Sequence, residues 1–414
     1  MSKLIFELNE FNVDLLREAA DKRKNIKKLI NMNSLMSEIP DRYDSDFLEP
    51  WSQWVSIHTG TPAIDHNIKH LGDSINLKHS AVWDDHPQDF GVIWGCLNSN
   101  NPLSNTIKYF PDPWTKTSET NIKKTKVLQD FLRHSVSDRG ERLWTKVTYY
   151  SKLFLHGLRT MPILFSNLDL QLLKRMFSLK FIKNFGSSTI YSFVEAIMFN
   201  IFLKESKSFD SKTHVFFSNM LAHCQHYYWH TSKKQIMEIT LDLIDDMLEK
   251  SFNHFSDVVV INGLTQEYSG DKENWNSYYP KAGWQNFIHA ILPSSVGVQP
   301  CMSYDAILSF PDAIELNKSI KTIQDIRLET GKSIFLVERY DDDDSRLFIR
   351  FDYFGDENID IFFGEQKTKF TDCFSKLATR TGRHVQKCNV YFNNSSKQAY
   401  KQFKNNWELV DLYK

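Results

Sequence analysis

The sequence DVVVI, at residues 257–261, gives the clearest indication of the fold class of this chain. After the aspartate it contains four consecutive β-branched residues, which is typical of a parallel strand covered on both faces. Shorter apolar runs at residues 4–6 and 214–217 precede helical patterns that begin near Val13 and near residue 233. Strands that alternate with helices predict an α/β protein whose central sheet is mostly parallel and flanked by helices.

The composition limits the classes of protein that the chain can belong to. Its 414 residues include 50 Lys and Arg against 51 Asp and Glu, so the net charge is −1. A nucleic-acid-binding domain usually carries a strong basic excess, and we therefore expect no nucleic-acid partner. Hydrophobic residues make up 41% of the chain, which is enough for a packed core and argues against disorder.

The cysteines and the N-terminus indicate a cytoplasmic protein. None of the five cysteines is spaced as in a CxxC motif, so we expect reduced thiols and no disulfide framework. The opening MSKLIFELNE has no long apolar segment, which disfavours a signal peptide. The apolar stretch at 190–203 contains Glu195 and Asn200 and is predicted to be a buried helix.

Residues 118–210 differ from the rest of the chain. Strand patterns disappear there, and we predict a helical insertion between two parts of an α/β core, 1–117 and 211–414. Within it, residues 142–183 contain eight Lys and Arg and one Asp, interspersed with large apolar residues. Such a stretch can be a lid with solvated cations, a site for an anionic substrate, or a surface that lies on an anionic membrane. The last alternative predicts a location peripheral to the inner membrane.

Four stretches of sequence carry a resemblance to a known family. They are LIFELNEFNVD at 4–14, WVSIHTG at 54–60 with Pro62 and His66 after it, QHYYW at 225–229, and TGRH at 381–384. In order and spacing they resemble the alkaline phosphatase superfamily, particularly its phosphodiesterase and nucleotide-pyrophosphatase-like branch. The second stretch is similar to the family's S-x-x-T-G element, and the fourth is similar to its late G-x-H.

The resemblance implies a fold and a chemistry. It implies an alkaline-phosphatase-like sheet with two metal ions, commonly zinc, at the carboxyl ends of the strands. It also implies a Ser or Thr that attacks a phosphoryl or sulfuryl centre while the metals neutralise the developing charge. The metal ligands of the family are aspartates and histidines.

Two of the family's histidines are matched in this sequence, at His226 and His384. The first metal aspartate is replaced by Asn9, and Glu7 and Glu10 lie beside it. The family's late Asp-His pair becomes Asn262 followed by glycine. With fewer anionic ligands than the family, we expect one divalent cation, zinc or similar, held by the two histidines and one of the two glutamates, or no cation.

The nucleophile of the family falls near Pro50 in this chain, and proline cannot perform that role. Ser52 is the nearest hydroxyl and is the predicted nucleophile, although serine also commonly caps helices. Glu49 and Gln53 flank it and are predicted as a base or a substrate anchor, and His58, in a predicted transition from strand to loop, is a further catalytic candidate.

Asn9 and Asn262 replace carboxylates at strand ends and are predicted to bind substrate. These roles require the opening loop, the Trp54 region and the two histidines His226 and His384 to meet at one edge of the sheet.

Three functions are compatible with these residues. The first is a hydrolase or transferase for a phosphate- or sulfate-bearing substrate, which the resemblance places in surface polysaccharide or glycolipid biosynthesis. The second is an inactive relative that binds a phosphorylated ligand or partner. The third is a metal-independent acid–base enzyme that uses Glu10, Glu49 and His58.

Overall fold

A computed structural model describes most of the chain. The described residues are 2–40, 47–136, 143–270, 275–293, 295–301, 304–340, 343–393 and 403–414; the side chains of 143–146 are left out. Arg142 of the predicted basic stretch therefore lies outside the described residues, as does the side chain of Lys146. The helices are α1 Val13–Ala20, α2 Lys24–Ile30, α3 Pro50–Thr59, α4 Ala63–His66, α5 Val82–Asp85, α6 Lys126–Ser135, α7 Leu143–Phe165, α8 Leu170–Met176, α9 Leu179–Lys183, α10 Ser187–Ser206, α11 Met220–Tyr228, α12 Lys234–His254, α13 Trp284–Ile291, α14 Ala313–Gln324 and α15 Phe370–Cys373.

The strands alternate with these helices along much of the chain. They are β1 Lys3–Leu8, β2 Asn33–Glu38, β3 Phe90–Trp94, β4 Lys108–Phe110, β5 Thr213–Ser218, β6 Asp257–Ile261, β7 Thr265–Tyr268, β8 Trp275–Pro280, β9 Gly297–Pro300, β10 Asp305–Ser309, β11 Ile326–Leu328, β12 Phe335–Tyr340, β13 Asp343–Phe351, β14 Asp360–Phe363, β15 Gln366–Lys369, β16 Phe374–Arg380, β17 Gly382–Val385 and β18 Lys387–Phe392.

Seven strands form the central sheet, in the order β2-β18-β6-β1-β5-β3-β4. The five strands from β6 to β4 are parallel, and β18 pairs antiparallel with β6 and β2. In the middle of the sheet, Ile5 of β1 lies between Val215 of β5 and Val259 of β6, and all three are buried. The predicted α/β class with a mostly parallel sheet is confirmed.

The chain contains two compact units. The first comprises Met1–Phe131, Leu158–Ser269 and Thr381–Lys414, and it contains the central sheet. The second comprises Leu132–Gly157 and Gly270–Arg380. Its sheets are β12-β13-β10-β9, β11-β14-β15 and β16-β8, and aromatic side chains such as Phe335 and Phe351 form much of its core.

The predicted insertion at 118–210 contains helices α6 to α10. No strand occurs among the described residues of that range. That residues 118–210 form a separate domain stays a prediction. Helix α10 covers the apolar stretch at 190–203 and is largely buried. No helix of the described residues is both long and apolar enough to cross a bilayer.

One local prediction is wrong. The motif at 54–60 suggests a strand that leads into a loop, but Pro50–Thr59 is helix α3. Pro50 occupies its first turn, where the missing N–H costs nothing, and Gly60 ends the helix at a φ of 66°. Because nearly every side chain of α3 is buried, the sequence shows no polar face that would reveal the helical period.

Candidate functional site

Glu10, His226 and His384 meet in the first unit, at the carboxyl ends of the parallel strands. Oε2 of Glu10 lies 3.3 Å from Nε2 of His226 and 3.2 Å from Nε2 of His384. The two imidazole rings are 5.6 Å apart between centroids. Glu10 follows β1, and His226 belongs to α11, which follows β5. The structure therefore brings together three of the predicted residues at the edge where open α/β sheets bind ligands.

The backbone of Glu10 is held in an uncommon conformation. Its φ is 56°, in the left-handed region that few residues other than glycine and asparagine adopt. Its N–H donates to the carbonyl of Asn262, and its own carbonyl accepts from the backbone N–H of Gln266 and from the side chain of Gln225. These bonds offset a strain of about 1–3 kcal/mol, and such strain commonly occurs at functional sites.

The two histidines are positioned by strand pairing and by a close backbone approach. His384 lies on β17, directly across from Gln266 of β7. The backbone N–H of Thr381 donates to the carbonyl of His226 at 2.7 Å, which ties the end of α11 to the start of β17. Gly382 permits this approach, since a Cβ there would lie 2.7 Å from the Gln266 side chain.

Glu49, at the N-terminus of α3, completes a line of charges. Its Oε2 lies 3.3 Å from Nδ1 of His384, and the carbonyl of Leu48 lies 3.1 Å from the same nitrogen. Burial favours the neutral imidazole, but the carboxylates of Glu10 and Glu49 outweigh it and raise the pKa of His384 to about 10. His384 is thus an imidazolium between two carboxylates.

Two glutamines determine which nitrogen of His226 carries a proton. Gln225 accepts from the backbone N–H of Asn12 and donates to the carbonyl of Glu10, so the backbone fixes the orientation of its amide. Its Nε2 also donates to Oε1 of Gln266, which turns the Gln266 N–H group towards Nδ1 of His226. Nδ1 is then an acceptor, and the proton of a neutral His226 lies on Nε2, facing Glu10.

The cluster offers the donor set of a single zinc-like cation. Two histidines and one glutamate, with a further position open, form a known catalytic zinc set. Zinc–ligand distances of about 2.0 Å place tetrahedral ligands about 3.3 Å apart, close to the separations here. Oε2 of Glu10 and Nε2 of His384 are buried and form an ion pair with each other, and a cation between them would replace the proton of that pair.

The surrounding groups fit a cation at two of the three ligands. Nδ1 of His384 can donate to Leu48 and Glu49, and Oε1 of Glu10 accepts from Asn9 at 3.0 Å; both are typical outer contacts of metal ligands. His226 fits only if its Nδ1 carries the proton, and the Gln266 amide would then have to present its oxygen. The residues therefore fit one cation, on condition that this amide turns.

The predicted nucleophile and one predicted anchor lie in packed surroundings. Ser52 is fully buried and donates to the carbonyl of Ile68. Gln53 is also fully buried, donates to the carbonyl of Phe47 and accepts from Asn406. Their predicted catalytic roles stay predictions, and these placements weigh against both.

Glu7 and His58 form a second, separate pair. Nε2 of His58 lies 2.8 Å from Oε1 of Glu7, which also accepts from Tyr413. Both residues are buried, with Cys96 close enough to complete a group of three possible ligands. Of the two glutamates predicted as alternatives, Glu10 therefore faces His226, whereas Glu7 faces His58.

The two asparagines predicted to bind substrate are occupied by the protein itself. Asn9 accepts from Trp54 at 2.8 Å and donates to Glu10 and Asn219. Both N–H groups of the Asn262 side chain donate within the protein, and its oxygen accepts from the backbone of residue 389. Asn9 thus orients Glu10, and Asn262 holds two chain segments together.

The role of Gln266 was not predicted from the sequence. Gln225 occurs in the QHYYW stretch, but no role was predicted for it either. Glutamine has no charge and no motif of its own, so only the strand pairing that places Gln266 beside His384 reveals it.

The fold and the cluster define an α/β protein with a carboxylate–histidine site at the carboxyl edge of its sheet. No family model and no curated protein matches the chain. Solved structures do. Phosphonoacetate hydrolase from Sinorhizobium meliloti, in complex with phosphonoformate, is 11% identical over 100% of this chain and 95% of its own, with a TM-score of 0.44.

Two further solved structures show the same kind of likeness. Human ectonucleotide pyrophosphatase/phosphodiesterase 5 is 9% identical, over 100% of this chain and 93% of its own, with a TM-score of 0.45. A cold-active alkaline phosphatase from Shewanella sp. is 9% identical over 100% of both chains, with a TM-score of 0.40. These proteins belong to the superfamily that the sequence motifs resemble. The three TM-scores are all below 0.5.

Proposed function

We propose that the chain is a hydrolase for a phosphate-bearing substrate and that Glu10, His226 and His384 hold one divalent cation. The observation that supports this most directly is the position of Oε2 of Glu10, which lies 3.3 Å from Nε2 of His226 and 3.2 Å from Nε2 of His384. These separations match the spacing of ligands around one zinc-like cation.

The charges of the cluster also favour a cation. Two carboxylates, Glu10 and Glu49, face one imidazolium, His384, which leaves one negative charge. His226 adds none while its Nδ1 accepts a hydrogen bond. A phosphate anion would be repelled by this negative charge, whereas a divalent cation in place of the His384 proton would make the cluster neutral and remove the repulsion. A cation bound there would polarise a phosphoryl oxygen and neutralise developing charge.

The side chains of the site have separate roles in this proposal. Glu10, His226 and His384 hold and orient the cation. Asn9 fixes the orientation of the Glu10 carboxylate. Glu49, whose side chain is 23% exposed, is the group placed to accept a proton from an attacking water. Water is the proposed nucleophile because the Ser52 hydroxyl is buried and already donates to a carbonyl.

Cation binding tests the first part of the proposal. Isothermal titration of the metal-free protein with Zn²⁺ should give about one site. The His384→Asn variant should lose it. Glu267→Gln is the matched control, because Glu267 lies next to Gln266 on β7 with its side chain on the opposite face. Equal binding by wild type and His384→Asn would refute the site.

Turnover tests the second part. Phosphomonoesters, phosphodiesters, sulfate esters and glycan- or lipid-linked phosphates share a tetrahedral oxyanion and form the substrate panel. At saturating Zn²⁺, Glu49→Gln should lower kcat by about 10²–10⁴-fold. Because Glu49 is an outer contact of His384, the variant should also bind Zn²⁺ about 10-fold more weakly. Ser52→Ala should retain turnover, with thermal melts to confirm that it folds. Loss of activity in a folded Ser52→Ala protein would instead support a covalent serine mechanism.

Binding without turnover is a second candidate, favoured by one observation. The Gln266 amide donates to His226, and this arrangement puts the proton on the nitrogen that a cation would need. A protein that binds no Zn²⁺, yet binds a phosphorylated ligand and turns over none of the panel, would establish this alternative.

A further inference from the structure

Helices α8 and α9, with the residues that directly follow each of them, present large apolar side chains to solvent. Leu170, Phe177, Leu179, Ile182 and Phe185 are 55–73% exposed. We call these five residues, together with the neighbouring Lys174 and Lys183, the α8–α9 face. Monomeric proteins rarely expose so many large apolar residues close together unless they contact a partner or a membrane.

The opposite side of these helices is firmly attached to α12. Arg175 of α8 pairs with Asp246 at 2.9 Å, and Lys180 of α9 pairs with Asp242 at 2.9 Å. Phe181 of α9 is buried and lies 5.2 Å from Phe193 of α10 between ring centroids. The ion pairs with α12 therefore hold the two helices in place, and the α8–α9 face is directed away from α12.

The face carries an unbalanced positive charge. Lys174 and Lys183 are exposed, and neither has a carboxylate partner among the described residues. Asp169 is the one acidic residue between 158 and 186, and it pairs with Lys250 at 2.6 Å. No free carboxylate on this stretch offsets the two lysines.

We propose that the α8–α9 face docks on an anionic lipid bilayer. Apolar side chains can enter the boundary between headgroups and acyl chains while neighbouring lysines contact anionic headgroups. A second copy of the chain fits less well, because a symmetric dimer would bring the same lysines of both copies into one interface. This inference is independent of the phosphate-hydrolase proposal.

Vesicle sedimentation of the full chain tests the proposal. Phosphatidylcholine vesicles with about one third phosphatidylglycerol should bind the protein, whereas pure phosphatidylcholine vesicles should bind it far more weakly. Leu179→Ser with Ile182→Ser should weaken binding at least about ten-fold. Lys174→Gln with Lys183→Gln should weaken it about five-fold for each lysine, and added salt should reproduce that effect.

The matched control combines Leu103→Ser with Lys22→Gln. Both residues are exposed and lie outside the face, so vesicle binding should not change. Circular dichroism melts establish that all variants fold. The proposal is overturned if the wild type ignores anionic vesicles, or if the face variants bind as well as the control. It is also overturned if the wild type dimerises in solution through residues 179 and 182.

Discussion

At the scale of single residues, the site depends on how Glu10 leaves its strand. The left-handed turn at Glu10 directs its carboxylate to His226 and His384, while Glu7, three residues earlier, points to His58. Two glutamates close together in sequence thus serve two different clusters. The strain at Glu10 is maintained because its backbone carbonyl accepts two hydrogen bonds from elsewhere in the fold.

Gly382 gives a first residue-scale prediction. An alanine Cβ there would lie 2.7 Å from the Gln266 side chain and 3.0 Å from the Gln225 carbonyl, so Gly382→Ala should displace the amide that orients His226. We expect a loss of about 1–3 kcal/mol in the free energy of unfolding, measured with urea. Gly186→Ala is the control, because nothing lies within 4 Å of its added Cβ. Equal stability of the two variants would contradict the close contact.

His214 gives a prediction about pH. Burial among phenylalanine rings lowers the pKa of His214 to about 4. The unfolded chain takes up this proton near pH 6.5, so the stability due to neutral His214 is complete above that pH and is lost towards pH 4. His214→Leu should therefore lose about 3 kcal/mol less than the wild type between pH 7 and pH 4 in urea unfolding.

His86→Gln serves as the control for that pH series. Its free energy of unfolding should fall as much as that of the wild type between pH 7 and pH 4. An unfolding free energy of His214→Leu that falls with pH as steeply as that of the wild type would show that another group causes the acid sensitivity.

At the scale of elements, α3 is positioned by its two ends. Pro50 begins it next to Glu49, and Gly60 ends it with φ of 66° against Val410. Between them, Trp54 and His58 lie four residues apart on one side and reach Asn9 and Glu7 respectively. The helix therefore links the carboxyl end of β1 to Glu49, which pairs with His384.

Gly60→Ala tests this account of α3. The substitution imposes a left-handed conformation on alanine and brings its Cβ to 3.0 Å from Val410. Gly364→Ala imposes a similar φ of 60° with nothing within 4 Å, so it should cost about 1 kcal/mol from the backbone alone. We expect a larger loss for Gly60→Ala in urea unfolding. An equal loss for both variants would show that the Val410 side chain can move away from the added Cβ without lowering the free energy of unfolding.

At the scale of the whole molecule, the candidate site belongs entirely to the first compact unit. The second unit has its own aromatic core, in which Phe335 packs 4.7 Å from Phe351 and 5.9 Å from Trp284 between ring centroids. Phe335→Ala should destabilise that unit by about 3–5 kcal/mol. Urea unfolding followed by tryptophan fluorescence measures the loss. Zn²⁺ affinity of the folded protein should stay within about two-fold, and a large change would show that the second unit supports the site.

Much of the architecture could be predicted from local patterns. The β-branched run at 257–261 is buried on both faces in any parallel sheet, so its strand and the α/β class follow from the sequence. The ordered motifs also indicated that His226 and His384 would meet. Helix α3 could not be predicted in the same way, because a segment buried on all sides shows no amphipathic period.

The fold class, the buried strands and the pair of histidines could be predicted because they depend on local hydrophobic pattern and on the order of motifs. That Glu10, not Glu7, faces those histidines could not be predicted in this way, because one left-handed residue in the folded chain sets the direction of the carboxylate. The tertiary structure also placed Gln266 beside His226. Hydrogen bonds between segments distant in sequence choose the proton position on that ring, and no local pattern encodes them.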